Sequence, residues 1–204
     1  MELRNKIITA ATDLFFRFGI KRITMDDISR EMGISKKTLY TSFKDKDEIV
    51  DQLLEYSLCE NVKNIDRINE NAKDPIHELI ESAKMMSSVF SRINPVFFYD
   101  LKRFYPSGWE KYQVFKEKNI MKIIENNLRR GVEMKIYRAD LNIPVMTKFR
   151  VSQFDLALDP TIFPSDKFSL AETNALLLDH FMHGITTIKG HRLINKYKEL
   201  KEDE

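Results

Sequence analysis

Residues 24–46 read TMDDISREMGISKKTLYTSFKDK, and this stretch decides how the rest of the 204-residue chain is understood. Thr24 stands where an N-cap serves a short helix holding Ile28 and Met32, because its hydroxyl can accept from a free first-turn N–H. Gly33 ends that helix, since glycine takes a left-handed exit without a Cβ clash. Ser35 caps a second short helix that runs through Leu39 to Phe43. Ile28, Ile34, Leu39 and Phe43 supply the apolar contacts that fix the two helices at an angle. Lys36, Lys37, Thr38, Tyr40 and Thr41 are left facing outward. Two short helices joined by Gly33-Ile34-Ser35 are a helix-turn-helix, the motif whose second helix lies in the major groove of DNA. Lysines and hydroxyls on that helix suit phosphate oxygens and base edges.

Outward from this motif the spacing predicts helix after helix. Upstream, Ile7, Ala10, Ala11, Leu14, Phe15 and Phe18 recur at helical intervals and Gly19 stops the run. Downstream, Asp45 with Glu48 makes an acidic capping box for a long helix through Ile49, Leu53 and Tyr56, ending near Asn69. Asp74-Pro75 and Asn94-Pro95 each pair a capping residue with a proline suited to a first helical turn. Ser107 and Glu110 form another capping box, for a helix expected to reach Arg130-Gly131. A helix over residues 144–158 puts Val145, Phe149, Ser152 and Leu156 on one face, and residues 159–164 read as a loop. Ser169 with Glu172 opens a last long helix with Gly190 at its end, and residues 196–204 form a charged tail. No repeat and no strand alternation is present, so the expectation is an all-α chain of about nine helices.

Composition agrees. The chain is 43% hydrophobic and 31% charged, enough apolar residues for a core and enough charge for solubility. Its net charge of +2 sits entirely in residues 1–50, which hold ten Lys/Arg against eight Asp/Glu, while the other 154 residues balance at 23 of each. That offset points toward a polyanion, with a solvated helix face as the plainer explanation. No apolar run approaches the roughly 18 residues of a membrane span. Asp13 and Arg17 interrupt the N-terminal apolar pattern, against a signal peptide. The single cysteine, Cys59, excludes an intramolecular disulfide and suits a reducing cytoplasm, the expected location.

From Ile7 to Ile49 the chain resembles the TetR family of bacterial transcription regulators. The residues that carry the resemblance are Ala10-Ala11, Leu14-Phe15, Gly19-Ile20, Ile23-Thr24, Asp27-Ile28, Gly33-Ile34-Ser35, Thr38-Leu39-Tyr40, Phe43 and Lys46, in order and spacing. Ser29 stands where the family more often has alanine, and Ser42 where a larger polar or aromatic residue is common. The resemblance implies an N-terminal three-helix helix-turn-helix domain over residues 1–46 and a helical regulatory and dimerisation domain over residues 47–204. It also implies that Thr24, Tyr40 and Lys46 hold phosphates, with Ser35, Lys36, Lys37, Thr38 and Thr41 on or beside the recognition helix. Lys46 lies in the first turn of a helix, where the dipole disfavours a cation, and a shared phosphate would resolve the conflict.

Beyond residue 50 the reading is coarser. Nine of the chain's 22 aromatics fall within residues 90–115, a density suited to an apolar ligand cavity or to a helical core. Met85, Phe90, Phe97, Phe98, Phe104, Trp109 and Tyr112 are the candidates for such a pocket. Leu177, Phe181, Gly184 and Ile188 follow 4-3-4 spacing and, with Phe149, are the candidates for a homodimer interface built as a four-helix bundle. His180 and His183 lack a further Cys/His group to complete a metal site, and no cofactor-binding or catalytic motif is present. The expected function is therefore a non-enzymatic, sequence-specific regulator of transcription. As a homodimer it would bind a palindromic operator in double-stranded DNA as a repressor, and a small apolar or aromatic effector would release it. An activator of the same fold, and a small-molecule-binding helical module with weak or lost operator recognition, stay open as alternatives.

Overall fold

The computed structural model describes residues 3–199, and among them the chain is helical, with one isolated antiparallel bridge between Tyr137 and Thr186 and no strand. In order the helices are α1 (Leu3–Phe18), α2 (Met25–Glu31), α3 (Lys36–Ser42), α4 (Lys46–Asn71), α5 (Pro75–Phe90), α6 (Val96–Phe104), α7 (Pro106–Phe115), α8 (Met121–Glu133), α9 (Ile143–Leu158), α10 (Leu170–Ile185) and α11 (Ile188–Lys198). A π-helical segment, Lys116–Ile120, joins α7 to α8. No helix among the described residues is long and apolar enough to cross a membrane. The chain divides into two compact units, Met1–Asn61 with Arg92–Phe115, and Val62–Ser91 with Lys116–Glu204.

The first unit is built on a core of Ile7, Phe15, Ile20, Ile28, Leu39, Phe43 and Ile49, all fully buried or nearly so. Gly19 leaves α1 at φ +82°, and a Cβ there would lie 2.7 Å from Val96 Cγ1 and 2.8 Å from Asp100 Oδ2. Both the backbone conformation and the close approach of α6 therefore demand glycine. Asp100, buried in α6, accepts the Lys21 amide at 2.8 Å, and the Asn94 amide donates to Phe16 O at 2.7 Å. These two bonds and the Phe16–Phe97 edge contact at 5.0 Å fasten α6 to the end of α1.

The second unit packs α5, α8, α9, α10 and α11 around Ile76, Leu128, Ile136, Tyr137, Leu178, Phe181, Ile185 and Ile194. Two of its buried polar side chains are linked: Tyr137 OH donates to Asn127 Oδ1 at 2.8 Å, and Asn127 Nδ2 donates to Pro75 O at 3.0 Å. Asp74 caps α5 by accepting the Ile76 and His77 amides, with Pro75 in the first turn as its sequence position predicts.

Three expectations about boundaries need correction. α7 begins at Pro106 rather than after Ser107, because proline fills the first helical position where its missing N–H costs nothing, and the Trp109 amide already bonds Tyr105 O at 2.9 Å. The helix expected to end at Gly131 continues to Glu133 and exits through Lys135 at φ +57°; Gly131 is there because the Tyr137 ring lies against it. The last long helix is two helices. It stops at Ile185, where Thr186 turns extended, and Thr187 caps α11 by accepting the Gly190 amide. The break is held by the 135–138 segment: Thr187 N donates to Ile136 O and Arg138 N to Ile185 O. Of the charged tail, residues 196–198 are helical and residues 200–204 lie outside the described residues.

Candidate nucleic-acid interface

α2 and α3 form as the local sequence dictates. Thr24 Oγ1 accepts the Asp27 amide at 3.2 Å while Asp27 Oδ2 accepts the Thr24 amide at 2.9 Å and its hydroxyl at 2.6 Å. These bonds from Thr24 hold the Asp27 carboxyl below its ordinary range. The turn passes through Gly33 at φ +62°, with open space around the missing Cβ, so here only the backbone conformation selects glycine. Ser35 Oγ accepts the Thr38 amide at 3.0 Å and lies 2.8 Å from Thr38 Oγ1. Ile28, Leu39 and Phe43 close the contact between the helices, and Ser29, buried beside them, returns its hydroxyl to Asp26 O at 2.9 Å.

The outward face of α3 carries Lys36, Lys37, Tyr40 and Thr41, all exposed, with Thr38 partly covered. Lys36 pairs with Asp26 of α2 at 2.5 Å, so its charge is shared between the two helices. Thr41 Oγ1 donates back to Thr38 O at 2.6 Å. Among the described residues Lys37 has no ion pair, and the Tyr40 ring is half exposed. The hydroxyls of Thr24 and Ser35 are already engaged as caps, so those two residues set the ends of α2 and α3 as well as standing at the surface.

Lys46 sits differently from what its sequence position suggests. Its Nζ donates to Ile20 O at 2.9 Å and Ile23 O at 2.7 Å, with Lys21 O at 3.4 Å. The cation in the first turn of α4 is thus compensated by carbonyls of the α1–α2 connection. Burial pulls its pKa down from the ordinary lysine value.

Sequence reasoning missed Arg4. Its guanidinium lies 4.2 Å over the Phe43 ring, donates to Gln52 Oε1 at 3.1 Å, and also bonds Glu48 and the Ser42 carbonyl at the end of α3. One side chain therefore ties α1, α3 and α4 together. Glu48 in turn accepts the Lys44 amide at 2.8 Å, and that bond, with Arg4, lowers its pKa. No local spacing announces these contacts, because Arg4 and its partners are 38 to 48 positions apart.

The pocket candidates do not gather in one unit. Phe97, Phe98, Tyr112 and Trp109 belong to the first and touch in that order, edge-on and then tilted, at centroid distances of 5.3, 5.9 and 5.4 Å. Phe104, also in the first, carries Lys21 Nζ 4.2 Å above its ring. Met85 and Phe90 belong to the second. A cavity of about 260 Å³ in the second unit is lined by other residues, among them Arg138, Met146, Phe149, His180 and Phe181. Of the interface candidates, Phe181 is buried, Leu177 half-buried, and Phe149 and Gly184 exposed. Ile188 is 76% exposed and stands on α11, so it does not continue the stripe of α10 as the spacing predicted.

A closed three-helix core presenting a short basic helix defines the helix-turn-helix class, and comparison with known proteins gives the same class. Residues 7–53 match the family model described as bacterial regulatory proteins, tetR family. That match covers the N-terminal segment of the chain alone. A Bacillus subtilis protein described as an uncharacterized HTH-type transcriptional regulator, YhgD, is 34% identical over 83 residues, 41% of this chain and 43% of its own length. The match thus spans less than half of that relative. The solved structure of SmeT, titled the repressor of the Stenotrophomonas maltophilia multidrug efflux pump SmeDEF, superposes with TM-score 0.70 at 18% identity over 92% of both chains. A TetR-family regulator from Agrobacterium tumefaciens gives TM-score 0.75 at 15% identity, covering 90% of this chain and 97% of that one. The fold is shared along nearly the whole chain, and these proteins are named as regulators rather than enzymes.

Proposed function

We propose that the chain is a cytoplasmic, homodimeric, sequence-specific DNA-binding regulator, a repressor of transcription released by a small apolar or aromatic molecule. Residues 1–46 read the DNA and residues 47–204 dimerise and sense the effector. The observation that carries the reading is the outer face of α3, where Lys36, Lys37, Tyr40 and Thr41 stand exposed over a closed apolar core. Such a helix enters the major groove, its cations and hydroxyls meeting phosphates and base edges. The second unit supports the dimer. Phe149 on α9 and Leu176 on α10 are 49% and 70% exposed, an apolar surface that a second copy would cover. An effector acts only through its different affinity for the DNA-competent and incompetent arrangements.

Gel shift on promoter fragments across a salt series tests the reading. Lys37→Ala weakens binding to all sequences and lowers the salt slope by about 1, the signature of one lost phosphate contact. Tyr40→Ala weakens binding and leaves that slope in place, because a hydroxyl releases no counterion. Parent-like binding by both variants contradicts the assignment of α3.

A further inference from the structure

α9 mixes polar with apolar residues on its buried side, Val151 and Ala157 among the latter. Val145 and Phe149 face outward, whereas Thr147, Arg150 and Gln153 are buried. Arg150 is only 4% exposed. Its Nη1 donates to Gln153 Oε1 at 3.0 Å, and its guanidinium carbon lies 4.4 Å from the Phe154 ring centroid. Among the described residues no carboxylate pairs with it, although buried charges elsewhere in this unit are paired. Lys116 contacts both oxygens of Asp155 at 2.7 Å, and Glu78 pairs with Arg130. Burial alone lowers the Arg150 pKa, to about 10, with no neighbouring charge acting on it, so it stays a cation at neutral pH. One turn before it, Thr147 Oγ1 is buried without a hydrogen-bond partner, as is Asn174 Oδ1 on α10, the helix packed against α9.

A buried charge is ordinarily paired, because taking an ion out of water is costly. A guanidinium offers five N–H donors in a planar fork that matches a carboxylate. We propose that Arg150, with Thr147 and Gln153 beside it, is an anion-recognition point inside the second unit, and that the effector carries a carboxylate on its apolar or aromatic body. The apolar part follows from the surroundings, since Val151 and Phe154 on the same helix belong to or pack on the hydrophobic cluster. The identity of the effector class rests on the regulatory reading above; the site itself does not.

The test is thermal unfolding of the full chain with millimolar benzoate and octanoate against benzyl alcohol and octanol, which share their bodies but lack the charge. The carboxylates raise the melting temperature of the parent and the alcohols do so far less. Arg150→Met loses the carboxylate shift, with at least about tenfold weaker binding, while the free variant stays folded and melts modestly lower, because no ion partner is orphaned but Gln153 Oε1 loses its donor. Thr147→Val, close in shape, retains the fold and reduces the shift. Absence of a carboxylate shift in the parent, or an undiminished shift in Arg150→Met, overturns the proposal. Gel shift without added carboxylate separates the two readings: equal DNA binding by parent and Arg150→Met leaves the regulatory function intact whatever the melting curves give.

Discussion

At the scale of single residues, legibility follows the distance to the partner. Thr24, Ser35 and Asp74 cap helices as their spacing predicts, because a cap bonds an amide two or three positions on. Arg4 and Lys46 were not legible in this way, since their partners are brought near only by the packing of α1 against α3 and α4. Lys46 illustrates the consequence. A cation at a helix N-terminus invites the inference of a shared anion, yet the carbonyls of Ile20, Lys21 and Ile23 meet its ammonium. Its effect on DNA binding then runs through the placement of α1 and α2. Lys46→Met is expected to weaken operator binding roughly tenfold for every sequence while leaving the salt slope near its parent value, unlike the fall of about 1 for a lost phosphate contact. A slope that drops by that amount would return Lys46 to direct phosphate contact.

At the scale of elements, the two glycines of the C-terminal helices separate sequence logic from packing logic. A glycine after a long apolar run reads as a helix stop, but Gly190 lies inside α11 because a Cβ there would come within 2.5 Å of Ile136 O and 2.7 Å of Thr186 Cβ. The real stop, at Thr186 and Thr187, depends on hydrogen bonds to residues 135–138 that no window along the sequence contains. Gly184 has nothing within 4 Å of its would-be Cβ. Gly190→Ala should therefore cost about 1–3 kcal/mol of stability, the usual penalty for forcing atoms into a packed site. Gly184→Ala should raise the stability of a subunit by about 0.5–1 kcal/mol through helix propensity. Urea unfolding of both variants, under conditions where the parent is monomeric, checks the pair; equal effects would mean that neither glycine is placed by packing. α9 teaches the same lesson: on its 145–149–152–156 face Val145, Phe149 and Ser152 are exposed and Leu156 half-buried, while polar Thr147, Arg150 and Gln153 are buried alongside Val151 and Ala157.

At the scale of the whole molecule, the all-helical architecture was legible because apolar residues recur at helical spacing along the chain and several helices also carry a cap, as at Thr24, Ser35, Asp74 and Ser169. The gathering of α6 and α7 with the N-terminal helices was not legible, since it rests on contacts such as Asp100 with Lys21 and Phe97 with Phe16. The central claim is that two copies of α3, one from each subunit, read adjacent major grooves. Two-fold pairing sets the recognition helices about 34–36 Å apart, or a multiple of it, so the bound sequence must repeat in inverted order. Footprinting of the full chain on genomic fragments measures this directly. The account predicts a protected site with two-fold symmetry whose half-site centres are about 10–10.5 base pairs apart or a multiple. Protection without symmetry, or binding no stronger to any fragment than to random duplex, would contradict it.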